Sequence, residues 1–112
     1  MKKVLLLISF LVTAFLVMAH PAKKVELQYD KASGEVTITA THSVKNVKDH
    51  FIDYVTIEIN GKEVKKELFT EQTSIEVQVY KYKIESPKKG DVIKINTHCN
   101  KSGTKGASLV IE

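Results

Sequence analysis

An all-β sandwich is the fold the sequence predicts, and three observations predict it. Apolar and polar residues alternate in stretch after stretch: Val25, Leu27 and Tyr29; Val36, Ile38 and Ala40; Val55, Ile57 and Ile59; Ile75, Val77 and Val79; Ile93 and Ile95; Leu109 and Ile111. A period of two marks strands with one buried face. Clusters of turn-forming residues separate these stretches: Lys31-Ala32-Ser33-Gly34, Asn60-Gly61, Ser86-Pro87-Lys88-Lys89-Gly90 and residues 101–106. No stretch after residue 19 carries a helical period, a repeat or a low-complexity tract.

Taken in order, the alternation and the turns predict strands over 23–29, 34–41, 51–59, 62–69, 74–84, 91–98 and 106–111. The first two are joined through Gly34. The third and fourth are joined by Asn60-Gly61, whose residues both tolerate positive φ and so favour a two-residue hairpin. Pro87 and Gly90 break the chain between the fifth and sixth. Seven short strands with regular turns point to an immunoglobulin-like sandwich. The disulfide and the tryptophan of antibody domains are absent, since the chain has one cysteine and no tryptophan.

Ahead of the sandwich, residues 1–19 read as a secretory signal peptide. Lys2 and Lys3 form its charged start, Val4 to Val17 its apolar helix, and Val17-Met18-Ala19 its small-residue cleavage site. The run is short for a membrane-spanning helix, which needs about 20 residues, although an uncleaved anchor stays open. Cleavage after Ala19 leaves residues 20–112 as one small domain, exported to a periplasmic or extracellular space and free of the membrane. Losing Lys2 and Lys3 lowers the net charge from +4 to +2. All basic residues are lysine, and they interleave with acids, as in Lys62-Glu63-Val64-Lys65-Lys66-Glu67. That pattern describes a solvated surface and argues against nucleic acid, whose binders cluster Arg and Lys on one face. A long sheet edge leaves room for a homo-oligomer.

In an exported chain, Cys99 is an anomaly. It has no partner for a disulfide, yet it stands where unpaired thiols oxidise. A lone cysteine is ordinarily a small buried hydrophobe, and a lone histidine is ordinarily solvated. Topology is what sets them apart here. Strands that run alternately up and down bring the start of the first, the turn between the second and third, and the turn after the sixth to one pole. His20, His42, His50 and Cys99 lie at those places. Imidazole with thiolate suits iron, copper or zinc rather than calcium or magnesium. His98 precedes Cys99 directly, and neighbours on a strand face opposite ways, so His98 is read as a surface residue. Cleavage after Ala19 would also free the α-amine of His20 as a metal donor, a feature that suits copper. Pro21 lacks an amide proton and contributes none.

Two motifs now stand out. Thr41-His42-Ser43-Val44 precedes Asp49-His50-Phe51-Ile52-Asp53-Tyr54, and Cys99-Asn100-Lys101-Ser102-Gly103 follows the sixth strand. In order and spacing these resemble the iron domain of the superoxide reductases, the desulfoferrodoxin and neelaredoxin family. One family motif reads His-Pro-Met, a few residues, then His-Tyr-Ile; the other reads Cys-Asn-x-His-Gly. The gap between His42 and His50 is two residues longer than in the usual motif. The resemblance spans nearly all of residues 20–112. It implies an immunoglobulin-like sandwich and a mononuclear iron site of histidines and one cysteine with an open position for superoxide. It also implies an external electron donor and one-electron reduction of superoxide to peroxide. On this reading His20, His42 and His50 are metal ligands and Cys99 is the axial thiolate. Ser102 stands where the family has its last histidine, and Ala19, not lysine, precedes His20. Lys45 or Lys48 is a candidate for the missing charge. A non-catalytic copper or iron carrier, or a metal-free structural sandwich, are the other functions these residues fit.

Overall fold

The computed structural model describes residues 20–112; the signal-peptide expectation for 1–19 lies outside them. Among the described residues the chain is all-β, with seven strands and no helix: β1 (Lys24–Asp30), β2 (Glu35–Thr41), β3 (Ile52–Ile59), β4 (Lys62–Leu68), β5 (Val77–Lys83), β6 (Val92–Cys99) and β7 (Thr104–Val110). They form two antiparallel sheets, β1-β2-β5 and β4-β3-β6-β7. No helix among these residues is long and apolar enough to cross a membrane.

The inward positions of both sheets make one core. Val36, Ile38 and Ala40 of β2 face Val55 and Ile57 of β3 and Ile93, Ile95 and Cys99 of β6, with Ala22, Ile84 and Ile111 closing the ends. Burying such side chains stabilises by about 1.5–3 kcal/mol each. Ala22 belongs to this core, so the segment just before β1 is part of the folded sandwich. Asn60 and Gly61 both take positive φ, 52° and 86°, and close the β3–β4 hairpin as their sequence predicts. That tight turn keeps β4 beside β3 in the four-stranded sheet.

Most strand ends differ from the sequence reading by one residue, and two starts differ by more. The fifth strand starts at Val77 rather than residue 74. Ser74 turns the chain, its Oγ accepting from the N–H groups of Glu76 and Val77 at 3.2 Å, and Ile75 lies exposed. The seventh strand starts at Thr104, two residues early, because His98 pairs with Thr104 across the β6–β7 turn.

One irregularity sets up the site. Ile52 pairs with Cys99 and Tyr54 with His98, so Asp53 is an extra residue on β3. The bulge lets Ile52 and Val55, three apart, both point into the core. Asp53 turns outward, where its Oδ1 lies 2.7 Å from His98 Nδ1.

Candidate metal centre

Strand direction brings five chain segments to one pole: the lead-in to β1, the β2–β3 loop, the β4–β5 loop, the end of β6 and the β6–β7 turn. His42 directly follows β2 and is buried at 4 % exposure. His50 precedes β3 and is partly buried. Cys99 ends β6 and is 0 % exposed. One ligand atom from each of these three lies within 4.8 Å of the others. His50 Nε2 is 3.2 Å from Cys99 Sγ. The rings of His42 and His50 meet edge to face at 4.8 Å between centroids.

His20 comes to the same place with a looser hold. Its ring stands edge-on to His50 at 5.4 Å, outside the group of three. Its backbone is fixed from both sides. The N–H donates to the Ser102 carbonyl at 2.9 Å, and the carbonyl lies 2.9 Å from His42 Nε2. Pro21 then packs against Gly103. His98 points the other way, stacked on Tyr54 at 4.6 Å and bonded to Asp53. It is a half-buried member of an outer-face cluster rather than a solvated histidine.

The turn after Cys99 is tied to the histidine loop through Asn100. Its Oδ1 accepts from Phe51 N–H at 2.9 Å, and its Nδ2 donates to the Asp49 carbonyl at 3.0 Å. Asn100 therefore holds the flanks of His50 against the flank of Cys99. Lys101 contributes twice. Its N–H lies 3.4 Å from Cys99 Sγ. Its ammonium pairs with Asp49 at 3.7 Å.

Burial pushes the His50 imidazole below its ordinary range, and the nearby His42, His20 and Lys101 lower it further, with Asp49 opposing. A neutral imidazole beside a buried sulfur is the form that binds metal. Beside this group opens a cleft of about 520 Å³, lined by His20, Val44, Lys45, Asp49, His50 and Lys101. Lys45 thus sits at the mouth, whereas Lys48 is turned to Glu71 at 4.0 Å. A slightly larger cleft lies at the opposite pole around Gly34 and Pro87. Its lining holds one carboxylate, Glu85, and no histidine or cysteine.

Solved structures with this architecture include superoxide reductase (neelaredoxin) from Ignicoccus hospitalis. It is 14% identical, with a TM-score of 0.54 over 81% of this chain and 80% of that one. A superoxide reductase solved in its oxidised state matches with a TM-score of 0.52 at 14% identity, over 86% of this chain and 93% of that one. The fold is that of the superoxide reductases. A hypothetical protein from Pyrococcus horikoshii shares it at 17% identity and a TM-score of 0.52, over 81% of this chain and 89% of that one. No family profile and no curated protein matches the sequence.

Two contributors at this pole escaped the sequence reading. Lys101 occupies the variable position of the Cys-Asn-x motif, where no residue type is demanded. Gln72 comes from the β4–β5 loop, whose arrival at this pole follows from strand directions but leaves no pattern of its own. Its Oε1 lies 2.7 Å from His42 Nδ1.

Proposed function

We propose that this protein is a divergent, exported member of the superoxide reductase family that binds one iron ion through His42, His50 and Cys99, with His20 as the fourth ligand. The observation that carries the reading is the convergence of two imidazoles and a buried thiol within 4.8 Å. Bonds of about 2.0–2.1 Å to nitrogen and 2.3 Å to sulfur allow donors on one ion to stand at most about 4.4 Å apart, so a closing of a few tenths of an ångström brings the whole group onto one ion. The donor set suits iron, copper or zinc.

A bound ferrous ion would supply the single electron that takes superoxide to peroxide, and an external donor would restore it. The rest falls to the chain. His42 and His50 would present nitrogen donors. Cys99, shielded from solvent, would present the sulfur donor, with Lys101 N–H 3.4 Å away. Lys45 and Lys101 line the approach and attract an anion to the cleft. His20 closes one side. Cleavage after Ala19 would convert its N–H, now on the Ser102 carbonyl, into an amine able to replace the donor missing at Ser102.

The same substitution supports a second reading, a copper or iron carrier without turnover. One experiment separates the two. Protein processed to His20 and loaded with Fe²⁺ is mixed with superoxide while its sulfur-to-metal charge-transfer band is followed. A reductase is oxidised rapidly and returns to the ferrous form with a reductant; a carrier holds its metal without cycling. Loss of the band in Cys99→Ser assigns it to that thiolate. Wild-type protein that takes up no metal sinks both readings.

A further inference from the structure

We propose that Gln72 is a positioning residue: its buried carboxamide fixes the proton of His42 on Nδ1 and leaves Nε2 as the nitrogen that meets the ion. The second half rests on the metal reading above; the first does not.

A neutral imidazole has one N–H and one bare nitrogen. Both ring nitrogens of His42 face oxygen. Nδ1 lies 2.7 Å from Gln72 Oε1 and Nε2 lies 2.9 Å from the His20 carbonyl. A neutral ring satisfies only one of them, and the other contact sets two lone pairs against each other. The surroundings of Gln72 decide which contact holds.

The amide of Gln72 is fixed on every side. Its Nε2 donates to the His42 carbonyl at 2.7 Å and to the Ser74 carbonyl at 2.9 Å. Its Oε1 also accepts from Ile52 N–H at 3.3 Å. Turning the amide over would aim its oxygen at two carbonyls and its NH₂ at an N–H. With 3 % exposure, Gln72 has no water to compensate, and an unpaired buried polar group costs about 1–3 kcal/mol. Oxygen therefore faces Nδ1, and Nδ1 carries the proton. The His20 carbonyl, on an exposed residue at the edge of the fold, is the partner that gives way.

The consequence is directional. Gln72 grips both the side chain and the backbone carbonyl of His42, so ring and main chain are held as one unit. The bare Nε2 is turned to the His20 side of the pole. An ion arriving there displaces a carbonyl from a lone pair and breaks no satisfied hydrogen bond. Hydrogen bonding of a ligand's second nitrogen to an amide or carbonyl oxygen is how proteins orient metal-binding imidazoles, and losing it weakens metal affinity about 10–100-fold.

The test begins with metal-free protein. Long-range ¹H–¹⁵N correlation at about pH 9, above the ordinary imidazole range, reads the tautomer of each histidine. His42 is expected with Nδ1–H and bare Nε2. In Gln72→Met, which keeps length and removes both polar groups, the proton is expected on Nε2, where the His20 carbonyl accepts it. Titration with Co²⁺ alone should then show affinity lower by about 10–100-fold. Nε2–H in the wild type overturns the proposal, and this holds even if the Met variant fails to fold. A folded Gln72→Met with unchanged tautomer and Co²⁺ affinity also overturns it. Wild type with Nδ1–H that takes up no Co²⁺ overturns the metal reading and confines Gln72 to setting the tautomer.

Discussion

Substituting Gly103 by alanine should loosen the whole pole, and its cost follows from two separable sources. Gly103 has φ +99°, a conformation side chains rarely adopt; forcing one there costs about 1–3 kcal/mol. A Cβ at this position would also stand 2.7 Å from Pro21 Cδ and 2.9 Å from Pro21 N. Neither atom can swing aside, because one is backbone and the other belongs to a ring. Ordinary carbon contacts lie near 3.5–4.0 Å, so Pro21 must retreat by about 1 Å, an overpacking cost of about 1–3 kcal/mol.

The sum, about 2–5 kcal/mol after partial relaxation, is large against a stability of about 5–15 kcal/mol for a domain. Urea unfolding followed by far-ultraviolet circular dichroism measures it. Gly90→Ala is the control: its φ is +96°, and nothing lies within 4 Å of its would-be Cβ. Gly103→Ala should exceed Gly90→Ala by the contact cost alone. It should also weaken Co²⁺ binding, because the retreat of Pro21 carries His20 with it and the Gly103 carbonyl holds Cys99 N–H at 3.0 Å. Equal losses in the two variants, or less than about 0.5 kcal/mol in Gly103→Ala, would refute the reasoning.

Asn100→Ala leaves Phe51 N–H and the Asp49 carbonyl without their side-chain partners; a loss of about 1–3 kcal/mol is expected in urea unfolding, with weaker metal binding. Lys101→Gln should slow the oxidation of ferrous protein by superoxide about tenfold at low salt and flatten its dependence on ionic strength, read by stopped-flow absorbance. The Asp91 carboxyl is held below its ordinary value by the Asn60 side chain and by Lys88 N–H. A depressed carboxyl stabilises the fold above its unfolded value and loses that contribution as pH falls through the folded one. Urea midpoints should therefore decline with acid below the usual carboxylate range of about 3.9, and Asp91→Asn should remove part of that decline.

The alternation of Val36, Ile38 and Ala40 or of Ile93 and Ile95 exposed the strands because each buries one face only. Asn60-Gly61 disclosed the hairpin because few residue pairs accept positive φ twice. Antiparallel order was enough to gather His20, His42, His50 and Cys99 at one pole. Elsewhere the pattern was ambiguous. Ile75 continues the alternation of β5 but lies outside it, since Ser74 Oγ offers the backbone a turn in place of the ladder. The bulge at Asp53 is silent, because an extra polar residue beside an aromatic one breaks no obvious period. The hold of Gln72 on His42 spans 30 residues and depends on two loops meeting, which no local spacing records.

That bulge divides β3 into two stretches with independent parity. On the core side, Val55 and Ile57 keep step with Thr97 and Ile95. On the pole side, Ile52 keeps step with Cys99. A residue gained or lost before Ile52 is a change in loop length alone and does not turn the core strand over. The loops of the pole can change in length and in residue type while the sandwich beneath them stays in register. Here chemistry and architecture are separable units of variation, with Asp53 as the joint between them.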